Sequence, residues 1–289
     1  MKSAGLEVPA DSARGREPSS SVSAEPGERH RRHGGERPLR SGGEGRLLKK
    51  IRHLAGQAFH DYNLIEDGQT VLIGVSGGKD SLVLTRFMAE LKKRVPIKFT
   101  LGAAHLGRGR AAELAPWLDG LGLDFVHWEP APEVPELAAY RPGGPSPCFA
   151  CARARRNRLF ELARRYGAGR LALGHHLDDA IETFLMNAFF SGRLEGLAPR
   201  QDLFEGRLAI IRPFFLVPEE FIIRLAAEWR LPIMPSLCPA DGHTVRQEMK
   251  DLVAELTRRN PKVFGNLTAV ARAAAGGAPA SFGRKAGDL

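Results

Sequence analysis

The stretch Val71-Leu-Ile-Gly-Val-Ser-Gly-Gly-Lys-Asp-Ser81 decides the fold. Val71 to Val75 is a short apolar run, the pair Gly77-Gly78 ends it, and a helical pattern runs from Ser81 to Arg94, so the segment reads as strand, tight turn and helix. Two glycines at such a turn let successive backbone N–H groups point at one spot, where the positive end of the helix dipole reinforces them. Ser76, Gly77, Gly78, Lys79, Asp80 and Ser81 therefore form a candidate phosphate nest. Two common nucleotide motifs do not fit it. A Walker A loop needs Gly at 73 and Ser or Thr after the lysine, where Ile73 and Asp80 stand, and no Gly-x-Gly-x-x-Gly can be drawn from Gly74, Gly77 and Gly78. An aspartate inside a phosphate nest repels the ligand unless a divalent cation bridges them, so Asp80 points to Mg2+ held jointly with pyrophosphate. The plain alternative is a glycine turn that only opens a helix.

The alternation continues on either side. Leu47, Leu48, Ile51, Leu54, Ala58, Phe59 and Tyr62 recur at helical spacing; Ile97–Leu106, Asp124–Trp128 and Arg170–Leu173 read as strands; Ala111–Leu121, Cys151–Tyr166 and Asp178–Phe190 read as helices. Strands alternating with helices imply right-handed crossovers and an α/β fold with a doubly wound parallel sheet. Beyond Leu208 the pattern is mostly helical, including Pro218–Trp229, so helical additions are expected at both ends. The domain is expected to span 46–275. Residues 1–45 and 276–289 are poor in large apolar side chains and read as disordered tails. The Arg31-Arg32-His33 cluster in the first tail is either a transient RNA contact or part of a dispensable extension.

The 289 residues are 43% hydrophobic, with mean hydropathy −0.23, enough for a buried core and too many for a disulfide-stapled scaffold. Lys plus Arg number 42 against 33 Asp plus Glu, a net charge of +9 that favours a polyanion such as nucleic acid. No stretch approaches the roughly 18 apolar residues of a membrane helix, and the N-terminus lacks a signal-peptide core. Three cysteines are too few and too odd in number for a secreted framework, so the chain reads as cytoplasmic.

Cys148-Phe-Ala-Cys151 places two sulfurs within reach of one metal, and Cys238 lies far downstream. Inert buried thiols, a redox pair that leaves Cys238 unexplained, a zinc site completed by His175 or His243, and a 4Fe-4S cluster with one open iron all remain available. The helix that follows carries Arg153, Arg155, Arg156, Arg158, Arg164 and Arg165 with only Glu161 opposing. Such a run is a solvated face unless a polyanion lies nearby, and Arg155 and Arg156 could hold substrate phosphate or offset leaving-group charge. Gly174-His175-His176-Leu-Asp178-Asp179 is a strand end running into a helix. Asp178 could serve there simply as an N-cap; two aspartates and two histidines at the carboxyl end of a parallel strand fit better a site near a nucleotide α-phosphate.

Ser76-Gly-Gly-Lys-Asp-Ser81 resembles the signature of the PP-loop ATP pyrophosphatases, which split ATP between its α- and β-phosphates and place AMP on a carbonyl or amide oxygen. The resemblance implies an adenine nucleotide alpha hydrolase-like fold, with the turn gripping the β- and γ-phosphates. Pro147-Cys148-Phe-Ala-Cys151-Ala-Arg-Ala-Arg155-Arg156, Leu171-Ala-Leu-Gly174-His175-His176-Leu-Asp178-Asp179, Asn187-Ala-Phe-Phe-Ser-Gly192 and Ile211-Arg212-Pro213 are similar to successive blocks of the tRNA 2-thiocytidine synthetase family, from about Leu47 to Ala273. That resemblance implies an oxygen-sensitive 4Fe-4S cluster on Cys148, Cys151 and Cys238, and non-redox sulfur transfer to a pyrimidine carbonyl, expected to be cytidine C2 in the anticodon loop. The implied catalytic residues are Lys79, Arg155, Asp178 and Asp179, and the nucleotide contacts Ser76 to Ser81, Gly174 and His175. Its cofactors would be ATP, Mg2+ and the cluster; its partners tRNA, a sulfur donor (a cysteine desulfurase or sulfide) and, in a homodimer, a second copy. Other readings are a thiouridine synthetase, a lysidine synthetase-like ligase, or a non-catalytic metal-binding, RNA-binding protein. The chain departs from the family in three places: Pro-Ala-Asp follows Cys238 where a second Cys-x-x-Cys is usual, His105-Leu106-Gly107 replaces an Asn-Leu-Asp turn, and the long N-terminal tail is extra. It also lacks the paired zinc fingers of the related thiouridine enzymes.

Overall fold

A six-stranded sheet of order β3-β2-β1-β4-β6-β5 organises the chain, in a computed structural model that describes residues 45–107, 111–141, 147–235, 238 and 244–276. The two expected tails, beyond residues 45 and 276, lie outside the described residues, as does His243. The strands are β1 (Thr70–Val75), β2 (Thr100–Gly107), β3 (Phe125–Pro130), β4 (Arg170–Ala172), β5 (Arg200–Leu203) and β6 (Leu208–Ile211). All pair in parallel except β5, which runs antiparallel to β6 at the sheet edge.

Alternation along the strands sends side chains to two faces. Val71, Ile73 and Val75 of β1 join Leu101, Ala103, Ala172, Ala209 and Ile211 in the larger core. That face is covered by α1 (Arg46–Asp61), α2 (Lys79–Lys92), α3 (Ala111–Asp119), α6 (Leu177–Phe190) and α7 (Glu219–Glu228), with α8 (Val245–Arg259) and α9 (Lys262–Ala274) adding Met249 and Ala271. Leu72 points the other way and joins Ala104, Leu171 and Ile210 beneath Leu162 and Ala163 of α5 (Cys148–Arg165). A single turn, α4 (Pro135–Ala138), precedes α5. The arginine helix is pinned to the β3 edge by Arg158, whose Nε and Nη2 donate to the Glu129 carboxylate at 2.7 and 2.8 Å; these bonds hold that carboxyl down at about 2.

The doubly wound sheet and the helical additions agree with the sequence reading, and one region differs. The chain beyond Leu208 is mostly helical as expected, but the sequence reading did not include the hairpin that β5 closes with β6 (Leu208–Ile211). All four residues of β6 are buried, three of them (Ala209, Ile210 and Ile211) pair with β4, and the turn uses positive φ at Phe204, Glu205 and Gly206. No helix among the described residues is long and apolar enough to cross a membrane.

Candidate active site

β1 and β4 are sheet neighbours whose connections leave in opposite directions, β1 toward β2 and β4 toward β6. Such a switch point opens a crevice at the carboxyl ends of the strands, where open α/β sheets bind ligands. Ser76–Gly78 leaves β1 there and Leu173–His176 leaves β4. The loops touch: a Cβ on Gly174 would lie 2.9 Å from the Asp80 carbonyl carbon and 3.0 Å from the Ser81 nitrogen, so only glycine fits. Gly77 has φ +87°, and its carbonyl accepts from the Met234 N–H at 2.9 Å. Hydroxyls brace the turn from inside. Ser81 Oγ accepts from the Ser76 N–H at 3.1 Å and donates to the Gly78 carbonyl at 2.9 Å.

The two aspartates after β4 take different jobs. His176, not Asp178, is the N-cap of α6: its ring accepts from the Asp179 N–H, and the Asp179 carboxylate accepts from the His176 N–H at 3.0 Å in a reciprocal capping box. Asp178 turns away and accepts from the Glu219 N–H at 2.7 Å, at the start of α7; burial raises its pKa nonetheless. Asp80, Asp178 and Asp179 all lie within 3.9 Å of the buried His176 ring. Asp80 Oδ1 is buried and has no hydrogen-bond partner. An unmet carboxylate oxygen of this kind is a hard donor that suits Mg2+.

Lys79 is engaged behind the loop, 3.1 Å from Asp80 and 2.9 Å from Glu219, while Lys250 of α8 takes the other Glu219 oxygen at 2.6 Å. Burial opposes the charge on Glu219, but hydrogen bonds from Lys250 and Lys79 outweigh it and hold the carboxyl at about 2. Burial likewise lowers Lys79, and Asp80 and Glu219 more than restore it, leaving the ammonium above its ordinary value.

Two cavities open at this crevice. One, of about 590 Å³, is lined by Asp80, Ser81, Gly174, His175 and Asp179 together with Arg156, Arg212 and Arg246. Burial drives His175 down to about 4, and its Nδ1 accepts from Arg212 Nε at 3.3 Å, so the ring is neutral. Burial, with Arg156 nearby, also lowers Arg212 to about 10. Arg246, from the first turn of α8, bonds Asp179 and Glu182 at 3.0 Å each. The second cavity, of about 380 Å³, is lined by Cys148, Cys151 and Cys238 with Gly78, His105 and Met234. Ser76, Leu106, Ala152 and Arg155 line both.

Of the expected site residues, Asp80, Ser81, Gly174, His175 and Asp179 line the larger cavity, Gly78 and the three cysteines line the smaller, Ser76 and Arg155 line both, and Gly77, Lys79 and Asp178 line neither. Sequence reasoning gave no role to Arg246, Glu219 or Met234; each comes from the C-terminal third, with no motif around it to mark it. His175 lies in the larger cavity, apart from the cysteine lining. Among the described residues no three His, Cys, Asp or Glu side chains gather closely enough for a single metal ion. A tetrahedral zinc would bring its thiolates within about 4 Å of one another. A cubane cluster spreads its thiolates over several irons, which suits three cysteines ranged around one cavity wall.

Fold and loop together define the class: an α/β protein whose doubly wound, mostly parallel sheet carries a glycine turn at its switch point. A scan against models of protein families found no match. Among curated proteins, the tRNA-cytidine(32) 2-sulfurtransferase of Polynucleobacter asymbioticus is 36% identical over 229 residues, covering 78% of this chain and 76% of its own. Those of Geotalea uraniireducens and Geobacter sulfurreducens are 38% and 39% identical, covering 78% and 76% of this chain and 91% and 87% of theirs. The chain belongs to the tRNA-cytidine(32) 2-sulfurtransferase family. Among solved structures, the U34-tRNA thiolase NcsA from Methanococcus maripaludis with its [4Fe-4S] cluster shares the fold, at TM-score 0.60 and 21% identity, covering 78% of this chain and 76% of that one.

Proposed function

We propose that the protein is an ATP-dependent tRNA thiolase that exchanges the C2 oxygen of an anticodon-loop cytidine for sulfur. The observation that carries this reading is the pair of adjoining cavities, one at the phosphate loop and one at three cysteines, which share Ser76 and Arg155. Cys148, Cys151 and Cys238 would hold a 4Fe-4S cluster, which supplies sulfide at the iron that no cysteine ligates. The backbone of Ser76–Ser81 and the N-terminus of α2 bind the nucleotide phosphates, and Asp80 with Asp179 would hold Mg2+ against them. Arg155, on the shared wall, stabilises negative charge as AMP is displaced from the activated carbonyl. Lys79 and Asp178 act from behind, fixing the starts of α2 and α6 respectively to that of α7 through Glu219. Exposed Arg153, Arg156, Arg164 and Arg165 on α5 contact tRNA phosphates without reading sequence. The sulfur donor in this reading is a cysteine desulfurase or free sulfide.

Protein purified without oxygen is expected to contain iron and acid-labile sulfide, and to form 2-thiocytidine in tRNA with ATP and a sulfide source. Nucleoside mass spectrometry reads the product. Absence of iron, or full thiolation by Cys238→Ala, would overturn the reading.

A further inference from the structure

Among the described residues four buried side-chain polar atoms have no hydrogen-bond partner, and two of them, His105 Nε2 and Arg155 Nε, belong to residues that line the cysteine cavity. Buried polar groups are nearly always paired, so an unmatched acceptor and an unmatched donor on two residues that line one cavity point to a ligand. His105 is 1% exposed and lies at the end of β2. Its Nδ1 stands 3.0 Å from the Val75 carbonyl oxygen, a bond only a protonated Nδ1 can donate. Burial and the nearby Arg155 hold the ring below its ordinary pKa despite that bond, so the imidazole is neutral and Nε2 is solely an acceptor. The ring cannot easily turn. Trp128 meets it edge to face at 5.3 Å, and Nε2 occupies the space of a side chain at Gly107, where a Cβ would come within 1.9 Å.

His105 and Arg155 line the same cavity, and Arg155 is near enough to act on the His105 ring, so a ligand that offers an N–H donor beside an acceptor would satisfy both atoms. A cytosine has this pattern, with its 4-amino group next to ring N3, whereas uracil puts a carbonyl oxygen where the amino group would be. Resting on the proposed thiolase reading, we infer that His105 Nε2 accepts the 4-amino hydrogen of the target cytosine while Arg155 Nε donates to its N3, making His105 a residue that selects cytosine over uracil. Opposed lone pairs against a fixed buried acceptor are expected to disfavour uridine roughly 5- to 100-fold.

The test uses the full chain and anticodon stem-loops carrying cytidine, uridine or 2-pyrimidinone, which lacks the amino group, at the target position. Two readouts run in parallel: equilibrium affinity by fluorescence anisotropy, and thiolated nucleoside formed without oxygen. Wild type is expected to favour cytidine over both other bases in each readout. His105→Ala should treat cytidine and 2-pyrimidinone alike, and His105→Gln, whose amide can offer either an acceptor or a donor, should raise the uridine-to-cytidine ratio. Unchanged base preference in both variants, with wild-type thiolation of cytidine intact, overturns this inference alone. An equal loss on all three RNAs in both variants marks a structural role and overturns it too. A wild-type protein that thiolates none of the RNAs sinks the thiolase reading and this inference with it.

Discussion

The phosphate-loop wall and the cysteine wall of the adjoining cavities are built by different means. Ser76 to Ser81 is one continuous turn, cross-braced by its own hydroxyls and pressed against the Gly174 backbone. The cysteine wall is assembled from remote pieces: Cys148 and Cys151 on the first turn of α5, and Cys238 outside any helix or strand. A local turn encodes its geometry in neighbouring residues, whereas the second wall exists only once the fold has formed.

The largest effect should come from the wall that depends on the fold. Cys238→Ala is expected to leave the unfolding midpoint within a few degrees of wild type while abolishing iron binding and 2-thiocytidine formation; iron analysis and nucleoside mass spectrometry read the outcome, and retained iron would erase the contrast. On the other wall, Gly174→Ala forces a methyl into backbone that cannot yield and should cost about 2–3 kcal/mol, with much weaker ATP binding. Gly77→Ala should cost less, about 1–2 kcal/mol, from φ +87° and a Met234 thioether that can swing aside. Denaturant melts of the two variants sharpen the comparison, and equal losses would mean that the loop is not seated on β4.

A smaller effect is expected from acid. His175 is lowered to about 4 in the fold, so between pH 6.5 and 4 the unfolded chain binds a proton that the folded chain refuses. Stability should therefore fall as pH drops through that window, by on the order of 2 kcal/mol, and His175→Asn should flatten the slope. Glu219, held at about 2, stabilises the fold above its unfolded value near 4.5, and that contribution is lost as pH falls toward 2. Glu219→Gln should shrink the acid limb below pH 4.5, leaving the share that Glu129 contributes, and keep the His175 window in place; urea midpoints at pH 3, 5 and 7 separate the two.

Much of the fold was legible because β1, β2 and β4 are apolar runs followed by helices, and periodicity reads such units directly. The β5-β6 hairpin was not. Arg200-Gln-Asp-Leu203 is polar at a half-exposed edge, and Leu208-Ala-Ile-Ile211 is too short to tell from a helical segment. In the site, residues within motifs were found, and those acting from a distance were missed. Nothing around Arg246 announces a bond to Asp179, because the partnership arises only when α8 packs on α6. The two aspartates gave a similar lesson: adjacent in sequence, they point to different partners, since His176 takes the cap that was open to Asp178 and Asp178 lines neither cavity.

Ser76, Leu106, Ala152 and Arg155 face both cavities. For evolution or engineering this shared partition is a constraint, since a substitution at any of the four alters both cavities together. New substrates are more readily accommodated by changing the unshared rims, such as the turn at His105–Gly107 or the arginine face of α5, while the partition stays as it is.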